Sequence, residues 1–128
     1  MGDVANYGWV LRFNKEKNLI RICADDDFLL GTRFSLKKAK LISDFIINTL
    51  HNSLSENQTL SLGRQELKWD ISDGCFTFTS QSCPIYFEFD VDETCIARCE
   101  AMNFAKQLLK MYNKAEMNKR GSEEAKKK

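Results

Sequence analysis

The chain has 128 residues, of which 43% are hydrophobic and 29% charged, enough for one compact domain with its own core. A formal net charge of +1 and a pI near 7.6 exclude a surface committed throughout to duplex nucleic acid, and no apolar run approaches the length of a membrane span. The total conceals an uneven spread, with eight Lys/Arg against six Asp/Glu in residues 1–53, six against ten in 54–117, and five against two in 118–128.

The opening residues "MGDVANYGWV" lack the basic and apolar regions of a secretory signal. The five cysteines have no framework spacing, which suits free thiols in a reducing compartment. A cytoplasmic protein is expected.

From about residue 5 to 14, Tyr7, Trp9, Leu11 and Phe13 alternate with Gly8, Val10 and Arg12, the period of a half-buried strand. "NKEK" at 14–17 is a turn, and Leu19–Cys23 returns as a second strand with Ile20 and Ile22 on one face and Arg21 on the other. Three adjacent carboxylates, Asp25 to Asp27, repel one another and mark a second turn before a third strand over about 28–34. Ser35 then offers an N-cap oxygen, and Leu41, Ile42, Phe45, Ile46 and Leu50 recur at helical spacing. The Ser/Asn-rich stretch at 51–58 joins this unit to the next.

The second unit repeats the plan. Leu60–Gly63 gives a short strand, and Leu67, Trp69 and Ile71 form the next. Asp73-Gly74 supplies a hairpin turn before Phe76 and Phe78, and Ile85, Phe87 and Phe89 alternate after Pro84. Asp92 and Glu93 are placed to start a last helix running to about residue 118. Its apolar arc covers about half the circumference, where a helix lying on one sheet needs only about 100°. The surplus, centred on Phe104, Leu108, Met111 and Tyr112, predicts a homodimer interface. The expected architecture is α+β: antiparallel sheet with two helices, in two β-β-β-(β)-α units at about 5–53 and 58–117 within a single domain over 1–117. Residues 118–128 form a charged tail with nothing to bury, expected to be disordered.

No motif names a reaction. The nucleophile-elbow, P-loop and dinucleotide-binding patterns are missing from the sequence, and His51, near a helix end, has no recognisable catalytic partner. No catalytic residue, metal ligand set or cofactor is therefore assigned. Cys75, Cys83, Cys95 and Cys99 lack the short loop knuckles of structural zinc sites, and buried or stray thiols are the simpler reading. The Asp25–Asp27 cluster reads as a solvated turn. Aromatic residues are abundant for so thin a core. Exposed rings beside Lys or Arg make stacking surfaces for bases, and Tyr86, on the face opposite Ile85 and Phe87, is the ring best placed to escape burial.

"NKEKNLIRI" followed by "GTRFSLKKAKLISDFI" resembles the PUR repeat, in which a basic turn, a strand, a short strand ending at a helix cap and an amphipathic helix follow in order. Whirly proteins share a similar plan. The resemblance spans residues 9–47 and implies a curved antiparallel sheet holding single-stranded nucleic acid. It assigns Lys15, Lys17, Arg21 and Arg33 to phosphates and Trp9 or Phe13 to stacking. The turn departs from the pattern in lacking glycine and arginine, and the acidic second half points to dimerisation rather than binding. The expected function is thus a non-enzymatic, homodimeric protein that binds single-stranded nucleic acid on its sheet. The alternative is a protein-binding inhibitor, adaptor or immunity-type factor.

Overall fold

The computed structural model describes residues 8–126, with side chains described as far as Met117. Tyr7, expected on the inner face of the first strand, lies outside them. Two antiparallel sheets and two helices make up an α+β fold. The first sheet has the order β1-β2-β3, from Trp9–Asn14, Leu19–Ala24 and Gly31–Ser35. Helix α1, Leu36–Asn52, follows it. The second has the order β4-β5-β6-β7, from Gln58–Leu62, Gln65–Asp70, Cys75–Ser80 and Phe87–Asp90, and α2, Glu100–Lys126, follows. No described helix is long and apolar enough to cross a membrane.

Alternation decides the faces. Trp9, Leu11 and Phe13 stand opposite Ala24, Ile22 and Ile20, and Ile20 stands opposite Phe34. All of these line the inner side, where Ile20 and Ile22 are fully buried. Leu67 opposite Phe78, and Trp69 opposite Phe76 and then Phe89, do the same for the second sheet. The turns follow local chemistry. Asn18 takes a φ of 52°, which Asn tolerates better than most residues, to close the β1–β2 hairpin. Gly63, at φ 71°, starts a two-residue turn in which Leu62 pairs with Gln65.

The β-region residue Ser35 caps α1, its Oγ accepting from the Lys38 N–H at 3.2 Å, an arrangement worth about 1 kcal/mol. The helix buries Ala39, Ile42, Ser43, Ile46, Thr49 and Leu50. Leu41, expected inward, is 44% exposed because the buried stripe centres one step around the helix. Small residues on both helices, Ala39 and Ser43 on α1 and Ala101 and Ala105 on α2, permit close approach, and the buried Ser43 hydroxyl donates to Ala105 O at 3.0 Å.

Two expectations about α2 are corrected. It starts at Glu100, not near 92, because the Asp92 carboxylate accepts from Thr94 N–H at 2.9 Å and Thr94 Oγ1 at 2.5 Å. Those bonds cap a turn that leads into a 3-10 segment at Ile96–Arg98, and they hold the Asp92 carboxyl below the usual carboxylate range. The helix also continues to Lys126 instead of ending near 118, so the segment assigned to a disordered tail carries on the helix as far as the described residues reach.

Two of the four residues assigned to the dimer surface are corrected as well. Phe104 and Leu108 are fully buried within the single chain. Phe104 stacks on Phe89 of β7 at 3.9 Å and 14°, and Trp9 of β1 meets both rings edge-on at 5.6 and 5.1 Å. Glu100 fastens this cluster, one carboxylate oxygen accepting from Trp9 Nε1 and the other from Asp90 N–H. The wide apolar arc is thus met by α1, β7 and β1 together. Met111 and Tyr112 remain half-buried beyond it. At the other end of the core Phe34 of β3 meets Phe78 of β6, and both units share one hydrophobic cluster.

Candidate functional site

The outer face of the first sheet carries the opposite alternation. Arg12 stands directly across from Arg21, and Arg21 directly across from Arg33, so three guanidinium side chains form one row over three strands. Like charges opposed in this way destabilise a sheet. The row has no acidic partner, since the ion pairs among the described residues are Lys40–Asp44 and Lys68–Glu66, both elsewhere. A shallow hollow of 590 Å³ lies on this face, lined by the three arginines with Phe13, Asn14 and Lys15 and bordered by Glu16.

Residues 28–30, expected to begin the third strand, instead belong to a loop that folds back over this face. The Asp27 carboxylate accepts from Leu29 N–H at 3.0 Å, and Leu30 N–H bonds Asp27 O, turning the chain before β3. Arg21 Nη2 donates to Phe28 O at 2.7 Å and Leu29 O at 3.3 Å, while the Arg12 guanidinium stacks 4.1 Å from the centre of the Phe28 ring. Cys23, on the outer alternation, is fully buried. β3 approaches it so closely that a Cβ at Gly31 would sit 2.4 Å from Ile22 O and 2.7 Å from Cys23 Cβ. Phe28 is left 51% exposed and Leu29 89% exposed beside the arginine row.

The sequence-predicted residues divide accordingly. Arg21 and Arg33 lie together, with Lys15 at the rim and Lys17 exposed in the same turn. Phe13 is half-buried against the core and also lines the hollow. Trp9 is corrected: its ring belongs to the inner-face cluster with Phe89 and Phe104, one strand face away from the arginines, and cannot offer a stacking surface there. Tyr86 is 40% exposed immediately before β7, on the other sheet, and lines neither the hollow nor the seam described next. Arg12 and Phe28 complete the site without having been singled out. Arg12 was legible from its place between Leu11 and Phe13. Phe28 was hidden by reading "FLLG" as strand.

The hollow continues into a seam where β3 meets the β4–β5 turn and the end of β6, a cleft of 620 Å³ whose walls also include Arg21 and Arg33. Lys38 and Arg64 add positive charge there, and Thr32, Gln65, Ser80 and Ser82 add polar groups. Gln65 Nε2 donates to Thr32 Oγ1 and to Arg33 O, both at 2.9 Å; Thr32 Oγ1 in turn donates to Ser80 Oγ at 3.2 Å.

The second sheet is opposite in sign. Asp70 and Asp90 flank Cys75 across its outer face, and Glu88 lies in the adjacent row. Among the described residues, Cys75, Glu88 and Asp90 form the group whose potential ligand atoms come within 4.8 Å of one another, so Cys83, Cys95 and Cys99 are not gathered with Cys75 into a thiolate set. Burial, aided by the neighbouring carboxylates, pushes the Cys75 thiol up to about 11 and keeps it protonated at neutral pH. Burial and then Asp90 raise the Glu88 carboxyl above its ordinary value of 4.5. Between that value and the raised one, the folded chain holds more protons than the unfolded chain, so stability falls as pH rises through this window. Glu88→Gln is therefore expected to raise the thermal midpoint at about pH 7 and leave it unchanged at about pH 3.5, where both states are mostly protonated. Thermal unfolding followed by circular dichroism at the two pH values checks this.

Compared with family models, curated proteins and solved structures, the chain matches none of them. The fold class is α+β with two antiparallel sheets, and the site rests on its own geometry.

Proposed function

We propose that this chain is a non-catalytic binding protein that holds single-stranded nucleic acid across the outer face of the β1-β2-β3 sheet. The observation that carries the reading is the Arg12–Arg21–Arg33 row, an arrangement that opposes folding and has no acidic partner among the described residues. A strand of phosphates laid over it neutralises the row, with Lys15 and Lys17 extending the track along the turn. Phe28, backed by Arg12 and half exposed, supplies a ring for a base, and stacking of this kind tolerates any sequence. The acidic outer face of the second sheet repels the same strand and so orients it. Five free cysteines support a reducing, cytoplasmic setting.

Fluorescence anisotropy with labelled single-stranded DNA, single-stranded RNA and duplex DNA tests this at two or more salt concentrations. Single strands are expected to bind more tightly than duplex, and log affinity should fall against log salt with a slope of about −2 to −3, for three to four neutralised phosphates. No binding at low salt rejects the reading and favours an acidic protein partner for the same face.

A further inference from the structure

The polar network in the seam leaves one atom over. Gln65 is 6% exposed, and its Oε1 is buried without a hydrogen-bond partner. The amide cannot be turned around to cure this, because Arg33 O is an acceptor only and requires the Nε2 donor it already receives. None of the neighbouring donors reaches it: the Thr32 hydroxyl goes to Ser80, Ser80 and Ser82 share a bond at 2.9 Å, and Lys38 Nζ gives one of its three N–H groups to Leu62 O at 3.2 Å, keeping the others for a ligand. Such an orphaned acceptor opposes folding unless something outside the chain completes it.

The surroundings specify what that is. Arg33 and Arg64 are exposed on the cleft walls, with neither an ion pair nor a side-chain hydrogen bond among the described residues. The cleft volume of 620 Å³ falls within the range of about 300–1,000 Å³ usual for small-ligand sites. Arg21 and Arg33 line both this cleft and the hollow on the sheet, so a chain of phosphates crossing the arginine row runs directly into the seam. A ligand suited to both features carries an anion for the cations and a neutral donor for Gln65.

We infer that the seam is a nucleotide subsite, in which Arg33, Lys38 and Arg64 hold a phosphate while Gln65 Oε1 accepts a hydrogen bond from the attached nucleoside, through either a sugar hydroxyl or a base N–H. This inference rests on the nucleic-acid reading of the adjoining face and gives it a selective element. The arginine row senses only charge; Gln65 senses what the phosphate is attached to.

The side-chain amide signal of Gln65 in a proton–nitrogen correlation spectrum, identified by its loss in Gln65→Met, reports on the seam directly. Titration with adenosine 5′-monophosphate is expected to shift it saturably, and Arg64→Ala, in an exposed turn, should weaken that binding about tenfold, as expected for a lost charged hydrogen bond. Inorganic phosphate alone should leave the amide signal in place. Comparing an adenine hexanucleotide in ribo and deoxy form with an abasic deoxyribose-phosphate hexamer separates the two donors. A ribo preference assigns the sugar hydroxyl, and loss of binding only in the abasic strand assigns the base. If hexanucleotides bind and shift signals of β1–β3 while the Gln65 amide stays still, the subsite is refuted and the sheet interface survives. An amide shift equal to that produced by phosphate alone also refutes it, leaving Oε1 to a buried water. If the monophosphate shifts the amide but no strand binds, the subsite stands and the sheet reading falls.

Discussion

Replacing Phe104 with alanine is expected to lower the stability of the fold by about 3–5 kcal/mol, the usual cost of removing a buried phenyl group and leaving a cavity. The ring is fully buried, lies parallel to Phe89 at 3.9 Å, and receives the edge of Trp9 at 5.1 Å. Those geometries add about 0.5–1.5 kcal/mol per pair beyond buried area. A domain of this size is typically stable by about 5–15 kcal/mol, so the variant forfeits roughly a fifth or more of the total. Chemical denaturation should show a lower midpoint with an unchanged slope. The double variant with Phe89→Ala should cost less than the sum of the two singles, because each removes the other's partner. The experiment also separates the observed packing from the interface that the width of the helix stripe had suggested. An interface residue would give a folded monomer on truncation, while the parent dimer would show an unfolding midpoint that depends on protein concentration. A core residue gives a destabilised chain whose midpoint is independent of it.

Neutralising the arginine row should have a different outcome for each member on stability and the same outcome for all on binding. Arg33 faces Arg21 without a compensating contact among the described residues, so Arg33→Gln is expected to stabilise the fold by about 0.2–1 kcal/mol through relief of like-charge opposition. Arg12→Gln should be nearly neutral, since that relief is offset by losing the stack on Phe28, worth about 0.5–1 kcal/mol at an exposed site. Arg21→Gln should destabilise, because the Phe28 and Leu29 carbonyls lose the guanidinium that ties the loop down. For single-stranded nucleic acid, the triple change should weaken binding by about 2–3 kcal/mol at low salt, roughly 30- to 150-fold, taking an exposed contact at the upper end of about 1 kcal/mol each. The slope of log affinity against log salt should become shallower by about 2. A triple variant that binds with unaltered affinity and slope would remove the sheet face from the function. Arg33→Gln alone is the informative single, because it predicts a more stable protein that binds less well.

Much of this architecture could be read from side-chain periodicity. Trp9, Leu11 and Phe13 against Arg12, and Ile20 and Ile22 against Arg21, follow from the rule that neighbours in a strand point to opposite faces. The Ser35 cap and the Asp73-Gly74 turn are equally local, the latter with Gly74 at φ 67°. The same alternation already separated the Trp9 ring from the arginines, and placing Trp9 with Arg21 and Arg33 in one binding surface overlooked it. The loop bearing Phe28 was not legible, because an apolar run after a turn looks like the start of a strand until the Asp27 contacts bend it away. Gln65 gave no signal at all. A glutamine in an alternating strand is ordinary until another strand's carbonyl claims its amide nitrogen and leaves its oxygen alone.

By itself, the sequence determined which residues share a face, where the chain turns, and that two sheet-and-helix units follow one another, since those properties depend on backbone period and on contacts within a few residues. Tertiary structure decided what each face meets. The Phe104 part of the broad α2 stripe was compatible with a second copy or with several layers of its own chain, and it is covered by Trp9 and Phe89, separated from Phe104 along the chain but adjacent in space. Three arginines scattered over residues 12–33 became one row only when strand register set them side by side, because electrostatic repulsion and ligand attraction both depend on distance in space.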